Sequence, residues 1–255
     1  MSAAEPDVVT ERRGDVAWIR LNRPDRMNAY DRHMAGRLVE AVRESEDAGV
    51  IVITGTGRSF CAGGYLADLT EPDPAELRGM FYASLDLFEA MRTSPRPIIA
   101  AVNGAAAGGG NELVVACDLA IAARSAKLGQ TGPRVGSAPV LGGTNLLAIS
   151  VGEKQAKEIS MMCRRYTAEQ AEQRGWINAV VDDDELEAEV TRWADELLAL
   201  SPRYLEIAKM SSNMWWNACR DNYVSGLGML VQAIGSDDMR EGAQAFMEKR
   251  KPRFR

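Results

Sequence analysis

Short β-branched runs alternate along this chain with longer stretches of helical period. Asp15 to Leu21 reads as a strand, and Val50 to Thr54 (VIVIT) as a buried one. Pro97 to Val102 is a third apolar strand. Asp31 to Ala48 and Pro74 to Arg92 read instead as helices, as does Asp184 to Leu200. Ser201-Pro202 starts another helix, and Asp182-Asp183-Asp184 is most simply a cap region ahead of the periodic one. Thr70 to Pro74 (TEPDP) is a polar, proline-containing loop and a candidate lid. No tandem repeat shows in the sequence.

Two of the strands run into glycine-rich turns. Pro97 to Val102 leads to Asn103-Gly104, then Gly108-Gly109-Gly110 and a helix-like apolar run. A helix start leaves backbone N–H groups without partners, and its dipole is electropositive there. Glycines let a ligand approach those groups. Glu112 follows one turn later, so an anion pocket lies beside a potential general base, the equipment for making or attacking an enolate. Val50 to Thr54 leads to Gly55-Thr56-Gly57 and then to Phe60-Cys61-Ala62-Gly63-Gly64-Tyr65. Two such units suggest two loops at one sheet edge whose N–H groups converge. Neither has the G-x-G-x-x-G spacing of a dinucleotide site, and no phosphate-binding loop with its G-K-[ST] ending is present.

Composition narrows the class. The chain has 255 residues, 46% of them hydrophobic, enough for one substantial core and a helical appendage. Its net charge of −6 argues against nucleic acid as a main partner. The cysteines at 61, 117, 163 and 219 form no C-x-x-C pair, which points to a reducing compartment and no metal site. The first residues lack an apolar signal core, and no run of about 20 apolar residues is long enough to span a membrane. A cytoplasmic enzyme is expected. The single histidine, His33, falls early in a helical pattern and is expected to face solvent. No G-x-S-x-G elbow supports a hydrolase triad around it. Cys61 is expected to be a small buried residue rather than a nucleophile.

Several of these segments together resemble the crotonase (enoyl-CoA hydratase/isomerase) superfamily. They are Phe60-Cys61-Ala62-Gly63-Gly64, Asn103-Gly104, Gly108-Gly109-Gly110 and Cys117-Asp118-Leu119-Ala120-Ile121-Ala122. Asn22-Arg23-Pro24 with Asn28-Ala29, Ala168 to Val181, and Pro202 to Lys209 extend the likeness to roughly residues 8–255. The resemblance implies an α/β fold, a spiral of ββα repeats. It divides the chain into a core over residues 1–200 and a C-terminal helical trimerisation region over 201–255. It implies a homotrimer or homohexamer acting on an acyl-CoA substrate, with coenzyme A arriving as part of that substrate and no tightly bound cofactor.

By the same resemblance, the N–H groups of Gly64 and Gly109 hold the thioester oxygen and Glu112 is the acid/base. Arg26, Met27 and Asn28 lie along the CoA nucleotide, and Lys249 or Arg250 reaches a CoA phosphate, though that basic end is equally well simply solvated. Ala62, Tyr65 and Tyr82 are candidates at the acyl group, though a residue such as Tyr82 is more often found in core or lid packing. Trp215-Trp216 reads as helix packing, and Asp118 as a structural hydrogen-bonding residue at a strand start.

The chemistry is less uniform than the fold. Family hydratases use two glutamates; the first falls on Glu112, the second on Gly132. Gly129 to Ser137 (GQTGPRVGS) resembles the branch containing dihydroxynaphthoyl-CoA synthase and cyclic ketoacyl-CoA hydrolases. There Gly132 is the rule, a bicarbonate ion beside it acts as base in some synthases, and Ser137 matches a substrate-contacting serine. Ser137 is as readily a turn residue. Pro139 stands where that branch has Asp, Glu112 where it has Val, and Ile234 where the synthase has Tyr. Tyr65 replaces a common family Asp. Water addition to an enoyl-CoA or a cyclic β-ketoacyl-CoA, with Glu112 as base, is the leading expectation. Ring closure, double-bond isomerisation, and a non-catalytic acyl-CoA-binding protein are the alternatives.

Overall fold

A computed structural model of the chain describes residues 6–65, 70 and 73–254, apart from the side chains of residues 214, 215 and 219. Residues 71 and 72 of the candidate lid, the Trp215 side chain and the Cys219 thiol therefore lie outside the described residues.

Strands β1 (Val8–Arg13), β2 (Val16–Leu21), β3 (Val50–Gly55), β5 (Ile98–Val102), β7 (Leu119–Ala123) and β10 (Ala179–Val181) form a six-stranded sheet in the order β1-β2-β3-β5-β7-β10. All pairings in it are parallel except β1 with β2. Parallel strands covered on both faces read as unbroken apolar runs, and all six residues of β3 are buried. Alternate side chains serve two cores. Trp18, Val50, Val52, Ile99 and Ile121 pack under α7 (Leu186–Leu198). Ile19, Ile51, Ile53 and Ile98 face the larger core, shared with α1 (Arg32–Glu44) and α2 (Pro74–Thr93).

A second sheet carries the site. Strands β4 (Ser59–Cys61), β6 (Ala105–Ala107), β8 (Lys127–Gly129) and β9 (Tyr166–Thr167) are ordered β4-β6-β8-β9. Gly55-Thr56-Gly57 and Asn103-Gly104 follow the long strands as expected, and one short strand then intervenes: β3, β5 and β7 lead into β4, β6 and β8, and β4 and β6 run into the later glycine clusters. The parallel pairings β4 with β6 and β6 with β8 align Cys61, Ala106 and Leu128. The segments following the three strands therefore emerge side by side. Each carries part of the cleft described below: Gly63-Gly64, Gly108-Gly109 at the start of α3 (Gly109–Ala116), and Gln130-Thr131-Gly132.

The remaining helices are α4 (Leu146–Val151), α5 (Glu153–Met162), α6 (Ala168–Gln173), α8 (Pro202–Ser212), α9 (Met214–Gln232) and α10 (Asp237–Met247). Among the described residues no helix is long and apolar enough to cross a membrane. Asp31 is not the first helical residue but the cap of α1, accepting from Met34 N–H. The Asp182–Asp184 run does not cap α7. Asp182 instead binds the Arg124 guanidinium at 2.7 Å, and Asp183 accepts from Ser125 N–H at 2.9 Å, fastening the end of β7 to a one-turn 3₁₀ helix, Asp183–Glu185. Asp118 is structural: its Oδ2 accepts from Ile98 N–H at 2.8 Å and pairs with the buried Lys209 ammonium at 2.7 Å.

Candidate active site

Tyr30 and Gly64 form an isolated parallel β-bridge. Tyr30 N–H donates to Gly63 O at 2.9 Å, and Tyr65 N–H donates to Tyr30 O at 3.0 Å. In such a bridge the opposite residue's own amide points away, so Gly64 N–H is turned from this partner. Gly109 is the first residue of α3, where an N–H has no acceptor within the helix. The two loops touch. A Cβ on Gly63, whose φ is +90°, would lie 2.8 Å from Gly109 N, and a Cβ on Gly110 would lie 2.0 Å from Cys61 O. Only glycine allows this approach.

Glu112, one turn into α3, is buried yet lines the same cleft as Ala62, Gly64, Tyr65 and Gly109. Its Oε1 accepts from Leu141 N–H at 2.9 Å and Gly143 N–H at 3.1 Å. Burial pushes the carboxyl up to about 7; those two N–H donors oppose the rise without cancelling it. The cleft holds about 90 Å³ of space and opens to solvent. Met80, Phe81, Val135, Val140, Leu141 and Leu230 form its apolar wall, and Tyr30, Ser84, Gln130, Thr131 and Ser137 its polar one.

Gly132 and Ser137 line the cleft. A Cβ on Gly132 would stand 3.0 Å from Ala138 Cα, Pro139 Cδ and Ser137 O, so the following loop occupies the space of a side chain there. Gln130, fully buried beside it, has neither end of its amide hydrogen-bonded. Those amide atoms are closed off from solvent, so in this arrangement they present nothing to a small oxyanion such as bicarbonate.

Other expected residues lie elsewhere. Asn28 cannot offer its side chain to a nucleotide. It is fully buried, donates to Ser59 O at 2.7 Å and Thr56 O at 3.0 Å, and accepts from Arg23 N–H. It holds its loop in the left-handed region, φ +57°. Met27, also left-handed, offers its carbonyl to Ala62 N–H at 3.0 Å and is absent from the cleft lining. Arg26 does not line the cleft itself; its guanidinium stands 4.6 Å from the centre of the Tyr65 ring, which does. Tyr82 is 46% exposed and turned out of the cleft; the helical phase of α2 brings its neighbour Phe81 in instead. Lys249 is exposed just after α10 and lines no part of this cleft. Arg250 is engaged by Glu241 and Glu248. Cys61 is buried, its thiol donates to Asn28 O, and burial raises its pKa to about 12, so it is no nucleophile at neutral pH. His33 is solvent-facing. Trp216 packs edge-on against Tyr223.

Tyr30 and Leu141 in the cleft wall, and Gly143 as a second donor to Glu112, are residues that sequence reasoning missed. Adjacency to Asn28-Ala29 is the only sequence signal for Tyr30, and the Gly142-Gly143 pair the only one for the other two.

The sequence profile of the enoyl-CoA hydratase/isomerase family matches residues 11–255. An enoyl-CoA hydratase from Mycobacterium avium subsp. paratuberculosis K-10 has a similar structure, with a TM-score of 0.86 and 26% identity over 98% of this chain and 99% of that one. A carnitinyl-CoA hydratase from Mycobacterium avium gives 0.85 and 30% over 98% of both chains. An enoyl-CoA hydratase subunit from Geobacillus kaustophilus HTA426 gives 0.77 and 34%, again over 98% of both.

Proposed function

The chain belongs to the enoyl-CoA hydratase/isomerase family, and from that premise we propose that it adds water to an acyl-CoA thioester with Glu112 as its acid/base. The observation that carries this reading is Glu112 itself. It is a buried carboxyl in a cleft, fixed by Leu141 and Gly143 through one oxygen, one helical turn from Gly109, whose N–H has no acceptor within α3.

In the proposed reaction the thioester oxygen accepts from Gly64 N–H and Gly109 N–H. Glu112 carboxylate takes a proton from water, and the water oxygen bonds to the β-carbon. The C=C electron pair moves toward the thioester, giving an enolate whose negative oxygen the two N–H groups stabilise. The α-carbon then takes the proton back from Glu112, so one water is added and the enzyme is restored. A carboxyl near 7 suits both halves of that cycle. Tyr65, with the Arg26 guanidinium against its ring, lines the cleft, and the CoA chain would pass beside this pair.

Gly132 and Ser137 in the cleft favour a second reading, hydrolytic opening of a cyclic β-ketoacyl-CoA, as in the ketoacyl-CoA hydrolase branch. We further propose a cytoplasmic homotrimer or dimer of trimers, assembled through the helical region 201–255. Mass spectrometry of products from crotonyl-CoA, cyclohexenecarbonyl-CoA and 2-ketocyclohexanecarboxyl-CoA tests both readings. Water gained by the enoyl esters supports hydration. Water gained by the β-keto ring, giving a linear dicarboxylic mono-thioester, supports ring opening. Turnover of none of the three contradicts both.

A further inference from the structure

With glycine at 132, Glu112 lacks the second carboxylate that a two-glutamate site would use to hold water. The cleft offers another group. Tyr30 is almost completely buried, lines the cleft, and is fixed at both ends. Its backbone is bridged to Gly63, Gly64 and Tyr65. Its hydroxyl lies against the first turn of α3: a Cβ on Gly109 would come within 2.4 Å of it. Glu112 is three residues further along α3, on the same helix face.

The direction of the hydrogen bonds matters. Ser84 Oγ, which lines the cleft with Tyr30, donates its one hydrogen to Met80 O at 2.8 Å and so has none to give the Tyr30 oxygen. The phenol oxygen therefore keeps lone pairs for a donor in the cleft. Burial and the nearby Glu112 raise the Tyr30 pKa, so the phenol stays neutral.

We propose that Tyr30 is a further catalytic residue, whose hydroxyl oxygen accepts one hydrogen of the reacting water while Glu112 accepts the other. A water held through both hydrogens presents its lone pairs to the β-carbon. Glu112 takes its hydrogen as a proton, the oxygen pair forms the C–O bond, and the alkene pair passes to the thioester enolate. The second hydrogen stays on the new hydroxyl, and Tyr30 begins and ends protonated. This rests on the reading of Glu112 as base.

The test compares two reactions of one enzyme. Hydration of crotonyl-CoA needs the held water; exchange of the α-proton of butanoyl-CoA with D₂O needs only Glu112 and the thioester-oxygen donors. In Y30F, hydration falls about 10- to 100-fold, the scale of one lost hydrogen bond to a reacting group, while exchange stays within about twofold. E112Q loses both. Unchanged hydration in Y30F, or hydration and exchange falling together, overturns the inference. A wild-type protein that exchanges no proton overturns the reading of Glu112 beneath it instead.

Discussion

Leu141 N–H donates to Glu112 Oε1 across 2.9 Å, tying a loop after β8 to a carboxyl on α3. Gly143 N–H shares that oxygen. The loop is itself held, because Ser160 Oγ on α5 donates to Gly143 O at 2.7 Å. A buried acid is thus given a fixed rotamer without a charged partner, which leaves burial to set its pKa.

That pKa has two consequences of opposite sign. Water activation needs the carboxylate, so kcat/KM for hydration rises with pH and levels off above an apparent pKa near 7. Stability runs the other way. The folded pKa lies above the ordinary value of 4.5, so the stabilising contribution is full below pH 4.5 and is lost as pH rises through 7. E112Q, which keeps an acceptor for both N–H donors, is therefore more stable than wild type at pH 8 by up to about 3 kcal/mol, and the difference vanishes toward pH 4. Urea unfolding of both proteins across that range checks it.

The glycines of the α3 start separate into two kinds. A methyl group on Gly110 would collide with Cys61 backbone at 2.0 Å, and neither β4 nor α3 can move aside. G110A destabilises by about 3 kcal/mol, read as a lower melting temperature. A methyl group on Gly109 meets the Tyr30 hydroxyl, a side-chain atom. G109A folds with a smaller loss of stability and is impaired chiefly in kcat, which thermal melting and steady-state kinetics on one preparation resolve.

Much of this arrangement is legible in the sequence, and what is not has physical causes. The apolar runs and glycine clusters mark β3, β5 and the start of α3, because buried parallel strands and close loop contacts leave few alternatives. Glu112 is legible from its offset to Gly109. Asn28 misleads, since a polar residue near a binding motif looks like a ligand contact until its side chain is found bonded to Thr56 and Ser59 carbonyls. Tyr82 misleads because one helical step, 100°, separates it from the inward Phe81. Tyr30 and Leu141 acquire their places from pairings 34 and 29 residues away along the chain, with Gly64 and Glu112, which no local pattern encodes.

Lys209 shows the same long-range logic in the framework. Its ammonium, buried on α8, binds Asp118, Met91 O and Arg96 O. Removing it leaves Asp118 only partly compensated. K209M is expected to lose about 3 kcal/mol of stability at pH 7 while KM for an acyl-CoA stays unchanged, since none of these groups lines the cleft.

An exchangeable base is the alternative to Glu112. Hydration that rests on Glu112 proceeds at the same rate in CO₂-free buffer and in buffer with added bicarbonate. A rate that depends on bicarbonate would instead locate a second base beside Gly132.

The most direct test of the account is E112Q, with turnover of crotonyl-CoA and calorimetric binding of butanoyl-CoA measured on the same protein. The account predicts a turnover loss of about 10²- to 10⁴-fold with a Kd within a few fold of wild type. Turnover retained at the wild-type rate would contradict it.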